Sequence, residues 1–478
     1  MSEEPQLVDA GVPPQAWRAV NPLSPILNVG AALVVILAAV LWHNVDTWRQ
    51  AIEEGWIDRI GLHTLFLIIA AAIFAIAIIG GLYSWLAWRK MRFAVTNEAV
   101  WYRAGILFRH QRHARLERIQ SVDVAQPFIP RLLGLGKITV GVAGSGDLSF
   151  GYLRLVELQE LRAEIMALAA GVEAKEEAPE QILYRVSTPR LVQGMLTKIG
   201  TIISLAILVA ITAGAIVAIF VLHVQTLWAL VTLLPAALAF GTPVFSELSG
   251  MYGFTAAVSP DGIRVRRGLF NTRSQTVPPR RIHAVRIAQP FFWRPFGWYS
   301  VRITQAASGE QAEDVLLPVG TREEALLALW LVIPDVGVDN PVELLSDALE
   351  GKGPSTWFTR NTPQSRWLDP LVWRRRGVAC TRTALIVRNG RITRSATFVP
   401  YARIQSLTIK SGPVQRQLSL ATLSAHLVPG IIFANVKNLP DHVAAGLLPS
   451  ITAESRVSRE SEPPERWMMR AQEAINNA

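Results

Sequence analysis

The chain has 478 residues, half of them hydrophobic, with a formal net charge of +10 and one cysteine. Such a length holds several domains, and the lone Cys380 excludes an intramolecular disulfide. The opening "MSEEPQLVDAGVPPQAW" is acidic and proline-containing where a cleavable leader needs a basic start and an apolar run, so it reads as a cytoplasmic tail over 1–22.

An apolar hairpin follows over 23–88, with arms Ile26–Trp42 and Leu62–Trp88; a second over 195–247 has arms Ile199–Leu222 and Leu227–Phe245. Each arm can span about 30 Å of hydrocarbon at about 1.5 Å per helical residue. None carries Asp, Glu, Lys or Arg, and buried soluble helices rarely run so long without one. Four transmembrane helices are therefore expected, the last kinked at Pro235. The link after the first arm holds Asp46, Glu53, Glu54 and Asp58, whereas the second arm exits into Arg89, Lys90 and Arg92. Basic flanks stay cytoplasmic, which puts both termini and the segments after each hairpin on the cytoplasmic side of the cell membrane.

Those segments are strand-rich modules over 89–172, 248–336 and 369–452, with linkers at 173–194 and 337–368 and a tail at 453–478. "RIQSVDVAQP" from Arg118 returns as "RIHAVRIAQP" from Arg281 and as "RIQSLTIKSGP" from Arg403. The register needs no gap: Val95 to Val258 and Ile119 to Ile282 are both 163 residues apart, and Val258 to Cys380 and Ile282 to Ile404 both 122. Arg103, Arg266 and Arg388 coincide, as do Gly105, Gly268 and Gly390, and Arg118, Arg281 and Arg403. Internal repetition of this kind fixes the architecture before any residue-level reading. The alternation of Val122 and Val124 with polar neighbours marks half-buried antiparallel strands, and Asn389-Gly390 marks a hairpin. Leu158, Leu161, Ile165 and Leu168 make one helical stripe after the first set of strands. Thr321 and Glu324 have capping-box spacing after the second. The third set offers only a shorter helix begun by Pro440. Strands closed by one helix suggest three small β-barrels or bent sheets, each plugged at its open end.

Thr96, Arg103, Gly105, Arg118, Ile119, Gln120, Val122, Gln126, Pro127, Arg131 and Gly134 form a pattern that resembles the bacterial pleckstrin-homology-like (PH-like) membrane proteins of the YdbS/YdbT type. The resemblance covers nearly everything from about residue 20 to 450. It departs at His283, which replaces the residue at Gln120, and in the third copy, which lacks the Gln-Pro and Arg-x-x-Gly elements and reads as degenerate. The resemblance implies three PH-like domains with two membrane hairpins. It also implies a smaller single-domain relative as partner, and a part in envelope stress or antimicrobial-peptide tolerance. It names no chemistry.

The residues name none either. "GVAGSGD" lacks the first glycine of a nucleophile elbow, and "RLLGLGKI" lacks the glycine and hydroxyl of a phosphate loop. His110 and His113 have no third ligand beside them, so no metal or cofactor is expected. Cys380 aligns with valines and reads as a small core residue. Mid-membrane charges that would mark a transporter are missing from the arms. The signature of an RNA-binding sheet is missing too, so nucleic acid is not an expected partner, and no small-molecule substrate is evident.

Two sets of residues remain. Arg103, Arg109, Arg112, Arg264, Arg266 and Arg267 lie on opening strands, where they would either meet anionic lipid headgroups or serve as a solvated face that guards a strand edge. Phe291, Phe292, Trp293, Phe296 and Trp298 make an aromatic cluster large for a loop, fit for a protein partner or the membrane interface. The expected function is therefore a non-enzymatic membrane protein whose modules assemble with each other, with sister subunits or with a partner. The alternatives are a sensor of anionic lipid and an enzyme of lipid or cell-wall metabolism.

Overall fold

Alternating apolar residues and turn glycines build the same order of elements three times. The structure, a computed structural model, describes residues 12–24, 80–105, 110–142, 148–170, 181–221, 226–259, 262–305, 314–351, 355–428 and 430–460, with Leu27 and Ile78 besides. Most of the first expected hairpin, Arg109 and the loop at Gly144 lie outside these residues. The chain divides into two compact units, 1–177 and 178–478.

In the first unit β1 (Arg18–Ala19), β2 (Arg92–Val95), β3 (Ala99–Ala104) and β4 (His110–Arg115) form an antiparallel sheet. A 3-10 turn at Leu116–Arg118 leads into the meander of β5 (Ile119–Gln126), β6 (Leu135–Val142) and β7 (Leu148–Arg154). A helical turn, α1 (Phe128–Leu132), separates β5 from β6, and α2 (Leu155–Ala170) closes the module. Val122 and Val124 face inward, and Leu158, Leu161 and Ile165 of α2 pack on them together with Phe93, Ile138 and Phe150. Residues 80–90 are helical; Trp88 at their end donates its indole N–H to the Val20 carbonyl at 2.7 Å, which ties that helix to the module.

The second unit starts with β8 (Gln181–Arg185), α3 (Thr188–Leu196), α4 (Ile199–Phe220) and α5 (Thr226–Met251). Strands β9 (Thr255–Ser259), β10 (Gly262–Arg267) and β11 (Thr272–Val277) then pair in sequence on β8. After a 3-10 turn at Pro279–Arg281 come β12 (Ile282–Gln289), β13 (Tyr299–Gln305), β14 (Asp314–Gly320) and α6 (Arg322–Trp330). The Thr321 hydroxyl accepts from the Glu324 amide at 3.3 Å while the Glu324 carboxylate accepts from the Thr321 amide at 2.8 Å, completing the capping box of α6. The next helix, α7 (Pro341–Glu350), precedes β15 (Thr359–Arg360), β16 (Gly377–Cys380), β17 (Ala384–Asn389) and β18 (Arg394–Pro400). A 3-10 turn at Tyr401–Arg403, β19 (Ser406–Lys410), α8 (Pro413–Gln417), β20 (Leu420–His426), β21 (Ala434–Pro440) and α9 (Asp441–Glu460) complete the third module.

Several expectations change. Among the described residues one helix, α4, is long and apolar enough to cross a membrane. Its partner α5 packs against it but is interrupted by Pro235 and Pro243. Modules 2 and 3 are not separate barrels, because β12 pairs with β18 and one antiparallel sheet runs β14-β13-β12-β18-β17-β16-β15. The stretch 337–368 is no spacer: α7 buries Leu344, Leu345, Ala348 and Leu349 against both modules. Its start was legible, since Asn340 caps the Glu343 amide and Pro341 fills the first turn. The terminal helix of module 3 is long, not short, spanning 20 residues. Cys380 is exposed at the end of β16, outside the core.

The third copy has lost sequence and kept geometry. Gly134 and Gly297 have left-handed backbones at φ of 68° and 62°, and Ser419, at the same repeat position, has φ of 53°. Arg416 likewise stands where Arg131 and Arg294 do, so the motif survives as Arg-x-x-Ser. A side chain in the left-handed region costs about 1–2 kcal/mol. Ser419→Gly should therefore raise the unfolding free energy of the detergent-solubilised chain by about 0.5–1 kcal/mol, measured by denaturant titration; a decrease would mean that the hydroxyl makes a compensating bond.

Candidate functional site

In the first and third modules the aligned arginine of the Arg-x-Gly motif is held by an aromatic ring just ahead of the strand added before the module. The Arg103 guanidinium lies 4.7 Å from the Trp17 ring centroid, and Arg388 lies 4.5 Å from that of Phe358. Trp17 and Phe358 directly precede β1 and β15, whose last residues, Ala19 and Arg360, sit opposite the repeat-equivalent Arg92 and Gly377. In module 2 the residue two before the partner of Thr255 is Leu183, which falls at a bulge in the β8–β9 pairing, and there Arg266 is exposed. Desolvated stacking of this kind contributes up to about 2 kcal/mol. The glycines two residues on have φ of 111°, 112° and 79°, a conformation in which a Cβ on Gly268 or Gly390 would strike the carbonyl of Asn271 or Thr393.

In module 3 this arginine is wholly buried and belongs to a polar network. Arg388 Nη1 donates to Asp347 Oδ1 of α7 at 2.5 Å and Nε to the Arg375 carbonyl at 2.9 Å. Burial lowers the Arg388 pKa and the Asp347 carboxylate opposes that shift. Arg375 donates to the carbonyls of Ala348 and Leu349 at 2.8 Å and Gly351 at 2.5 Å, placing a cation at the negative end of α7. Burial, then the nearby Arg388, Arg394 and Arg294, lower its pKa to about 9, which leaves it charged at neutral pH. Arg376 pairs with Asp369, to which Asn438 also donates. This network is not legible in the sequence, because three consecutive arginines carry no periodicity.

The other predicted residues are scattered. Arg264 is buried, Arg267 reaches the Met251 sulfur at 3.4 Å, and Arg112 is exposed on β4. Arg118, Arg281 and Arg403 each end the 3-10 turn between the two halves of a module, before a buried isoleucine. Of the aromatic cluster, Phe291, Phe292 and Phe296 are exposed and Trp298 is partly buried. Trp293 leaves the cluster: it is 0% exposed, and its indole donates to the Gly194 carbonyl of α3 at 2.9 Å and to the Thr197 hydroxyl at 3.1 Å. Gly194 is needed there, since a Cβ would approach Val319 to 2.6 Å.

A cleft of about 500 Å³ opens at the base of α4 and α5, lined by Lys198, Glu247, Arg286, Arg302, Trp293 and Asn389 among others. Lys198 and Glu247 pair at 2.5 Å, and Arg286 donates to the Thr397 hydroxyl at 3.2 Å and the Phe433 carbonyl at 3.1 Å. The charges that line the cleft thus tie helix to helix and module to module.

Family comparison matches the bacterial PH domain at residues 24–169, 195–329 and 365–445. The chain belongs to the bacterial PH domain family. It is also 20% identical over 270 residues to a Bacillus subtilis (strain 168) protein named transmembrane protein YdbT. That match covers 49% of this chain and 55% of the relative, so the chain spans about half of that protein's length. No solved structure matches it. The YdbS/YdbT-type resemblance is thereby shown.

The third PH domain lacks the hairpin that precedes the second. Between β8 and β9 lie α3, α4 and α5, whereas between β15 and β16 there is only a 3-10 turn at Pro363–Trp367 and the run that delivers Arg374, Arg375 and Arg376. Removing one partner of a buried ion pair costs about 3–5 kcal/mol, so Arg388→Met should lower the unfolding free energy by about that amount, with partial recovery when Asp347→Asn is added; a double-mutant cycle in denaturant measures it.

A pH response follows from His283 of β12. Burial, then the charge of Arg403, hold its pKa below the ordinary 6.5. The unfolded chain therefore binds the proton more readily, and the stability contributed by neutral His283 is lost as pH falls below about 6.5. His283→Gln should flatten the loss of melting temperature between about pH 7.5 and 5. An unchanged slope would assign the pH dependence elsewhere.

Proposed function

We propose that this bacterial PH domain protein is a multi-pass protein of the cell membrane whose two helical hairpins hold three PH domains at the cytoplasmic face as non-enzymatic assembly surfaces. The membrane part of the reading is supported by α4, whose Ile203, Val209, Val217 and Phe220 are exposed along an uncharged helix. The second apolar arm, α5, packs beside it. The cytoplasmic orientation is supported by basic flanks, with Arg89, Lys90 and Arg92 after one hairpin and Arg185, Arg190 and Lys198 before the other.

The observation that carries the assembly reading is the pairing of β12 with β18, from Val285 opposite Phe398 to Gln289 opposite Arg394. Two PH domains here recognise each other along strand edges, and backbone pairing of this sort gives affinity without requiring a particular side chain. Next to this seam Phe291, Phe292 and Phe296 stand exposed, the composition of an interface core. The partner that fits is another PH domain of the same kind, in a second copy or in a smaller single-domain relative. An envelope-stress or peptide-tolerance role would then belong to the assembly.

Native mass spectrometry of the full chain extracted from its own membrane tests this. The wild type should carry a second PH-domain subunit, and the F291S/F292S/F296S variant should lose it while keeping its melting temperature. A wild-type chain that is strictly monomeric and alone overturns the assembly reading. Phosphatase fusions at the C-terminus that are active outside the cell overturn the orientation.

A further inference from the structure

Within the second unit, a cleft of about 620 Å³ is lined by Arg294, Arg366, Arg374, Arg375, Arg391 and Arg394, together with Phe291, Pro370, Leu371 and Trp373. No acidic residue lines it. Elsewhere in the unit arginines meet carboxylates: Arg190 with Glu324, Arg376 with Asp369, Arg382 with Asp339 and Arg388 with Asp347. Among the described residues none of the arginines lining the cleft has a carboxylate within ion-pair distance. Arg375 spends its donors on the α7 carbonyls, so the cleft gains its charge and not its hydrogen bonds.

Three of the remaining guanidiniums, those of Arg294, Arg366 and Arg374, are set in place by contacts that leave donors unused. Arg294 lies 5.0 Å from the Phe291 centroid and donates to the carbonyls of Arg391 and Ile392, fixing the β17–β18 hairpin against the turn that follows β12. Arg374 lies 5.3 Å from the Trp373 centroid and Arg366 5.9 Å from that of Trp367. Planar guanidiniums match phosphate oxygens in pairs, which a single ammonium cannot do. Like charges gathered in a concave, partly apolar site create a field that a bound anion relieves; in keeping with this, burial and then Arg394 and Arg391 lower the pKa of Arg294.

We propose that this inter-domain cleft binds a phosphate group carrying more than one negative charge or standing at a bilayer surface, with Arg294, Arg366, Arg374, Arg391 and Arg394 as its ligands. The chemistry is common to a free polyphosphate and to an anionic phospholipid headgroup. It differs from the basic strand face, which lies on other elements, and it holds whether or not the assembly reading does.

The test uses the full chain in nanodiscs. In discs of phosphatidylcholine, inorganic pyrophosphate is titrated and melting is followed by tryptophan fluorescence; in parallel, discs containing phosphatidylglycerol are compared with phosphatidylcholine alone. Arg374 and Arg391 are exposed and anchor no other element by side chain, so R374Q/R391Q is the test variant. R112Q/R115Q, on exposed positions of β4, removes the same charge elsewhere. If the site takes a free anion, pyrophosphate raises the wild-type melting temperature. Its affinity then falls at least about tenfold in R374Q/R391Q and stays within about twofold in R112Q/R115Q. If the source is lipid, phosphatidylglycerol stabilises the wild type and R112Q/R115Q but not R374Q/R391Q. The proposal is overturned if neither probe stabilises the wild type, or if R374Q/R391Q responds as the wild type does. Should the double variant fail to fold, R374Q alone is read by the same criteria.

Discussion

A strand at the edge of a sheet carries a row of unpaired amides and carbonyls that must be covered, blunted or paired. In the second unit the edge of β12 is satisfied by β18 of the following domain, and much of the unit's organisation follows from that choice. Because the two half-domains make one sheet, their inward faces share a core, and Phe358, Ile386, Ala396 and Phe398 of the third domain pack with Ile287 and Val301 of the second. Helix α7 is then a plug for that shared core, and a plug needs its ends satisfied. Asn340 serves its start, and Arg375 and Arg388 serve its end and its Asp347. The buried cations are thus a consequence of fusing two sheets, since a lone domain would leave the end of such a helix in water.

Local chemistry was the readable part of this fold. Val122 and Val124 announce an inward face, Leu158, Leu161 and Ile165 a helix stripe, and Thr321 with Glu324 a capping box, because each depends on neighbours a few residues away. The constant spacing of 163 and 122 residues also carried more than motif matching drew from it. It places Arg416 and Ser419 on Arg131 and Gly134, although the third copy has discarded the letters of the motif. Two things were hidden. Which edge pairs with which is set by long-range geometry, and no alternation along β12 states that its neighbour lies more than 100 residues away. The fate of Trp293 was hidden for a related reason: its composition suits an exposed surface, and only its fit beneath Gly194 makes it core.

The arginines illustrate how one residue type is divided among roles by its surroundings. At the Arg-x-Gly position the guanidinium is stacked on Trp17 in the first domain and on Phe358 in the third, whereas in the second, where Leu183 stands at the matching place in the sequence, Arg266 is exposed. In the run Arg374, Arg375 and Arg376, adjacent side chains go to three destinations, a cleft, a helix end and a carboxylate. Counting basic residues on a strand therefore says little about binding, whereas counting which of them lack an acidic neighbour says more.

The anchoring of Trp293 under the α3 backbone has a mechanical meaning. Helix α3 runs almost directly into α4, with Thr197 and Lys198 between them, and the indole grips α3 at Gly194 and Thr197 from the turn just past β12. Strand β12 is welded to β18 by its backbone. A tilt or piston movement of the apolar helix would thus be passed through the indole to the shared sheet and so to the third domain.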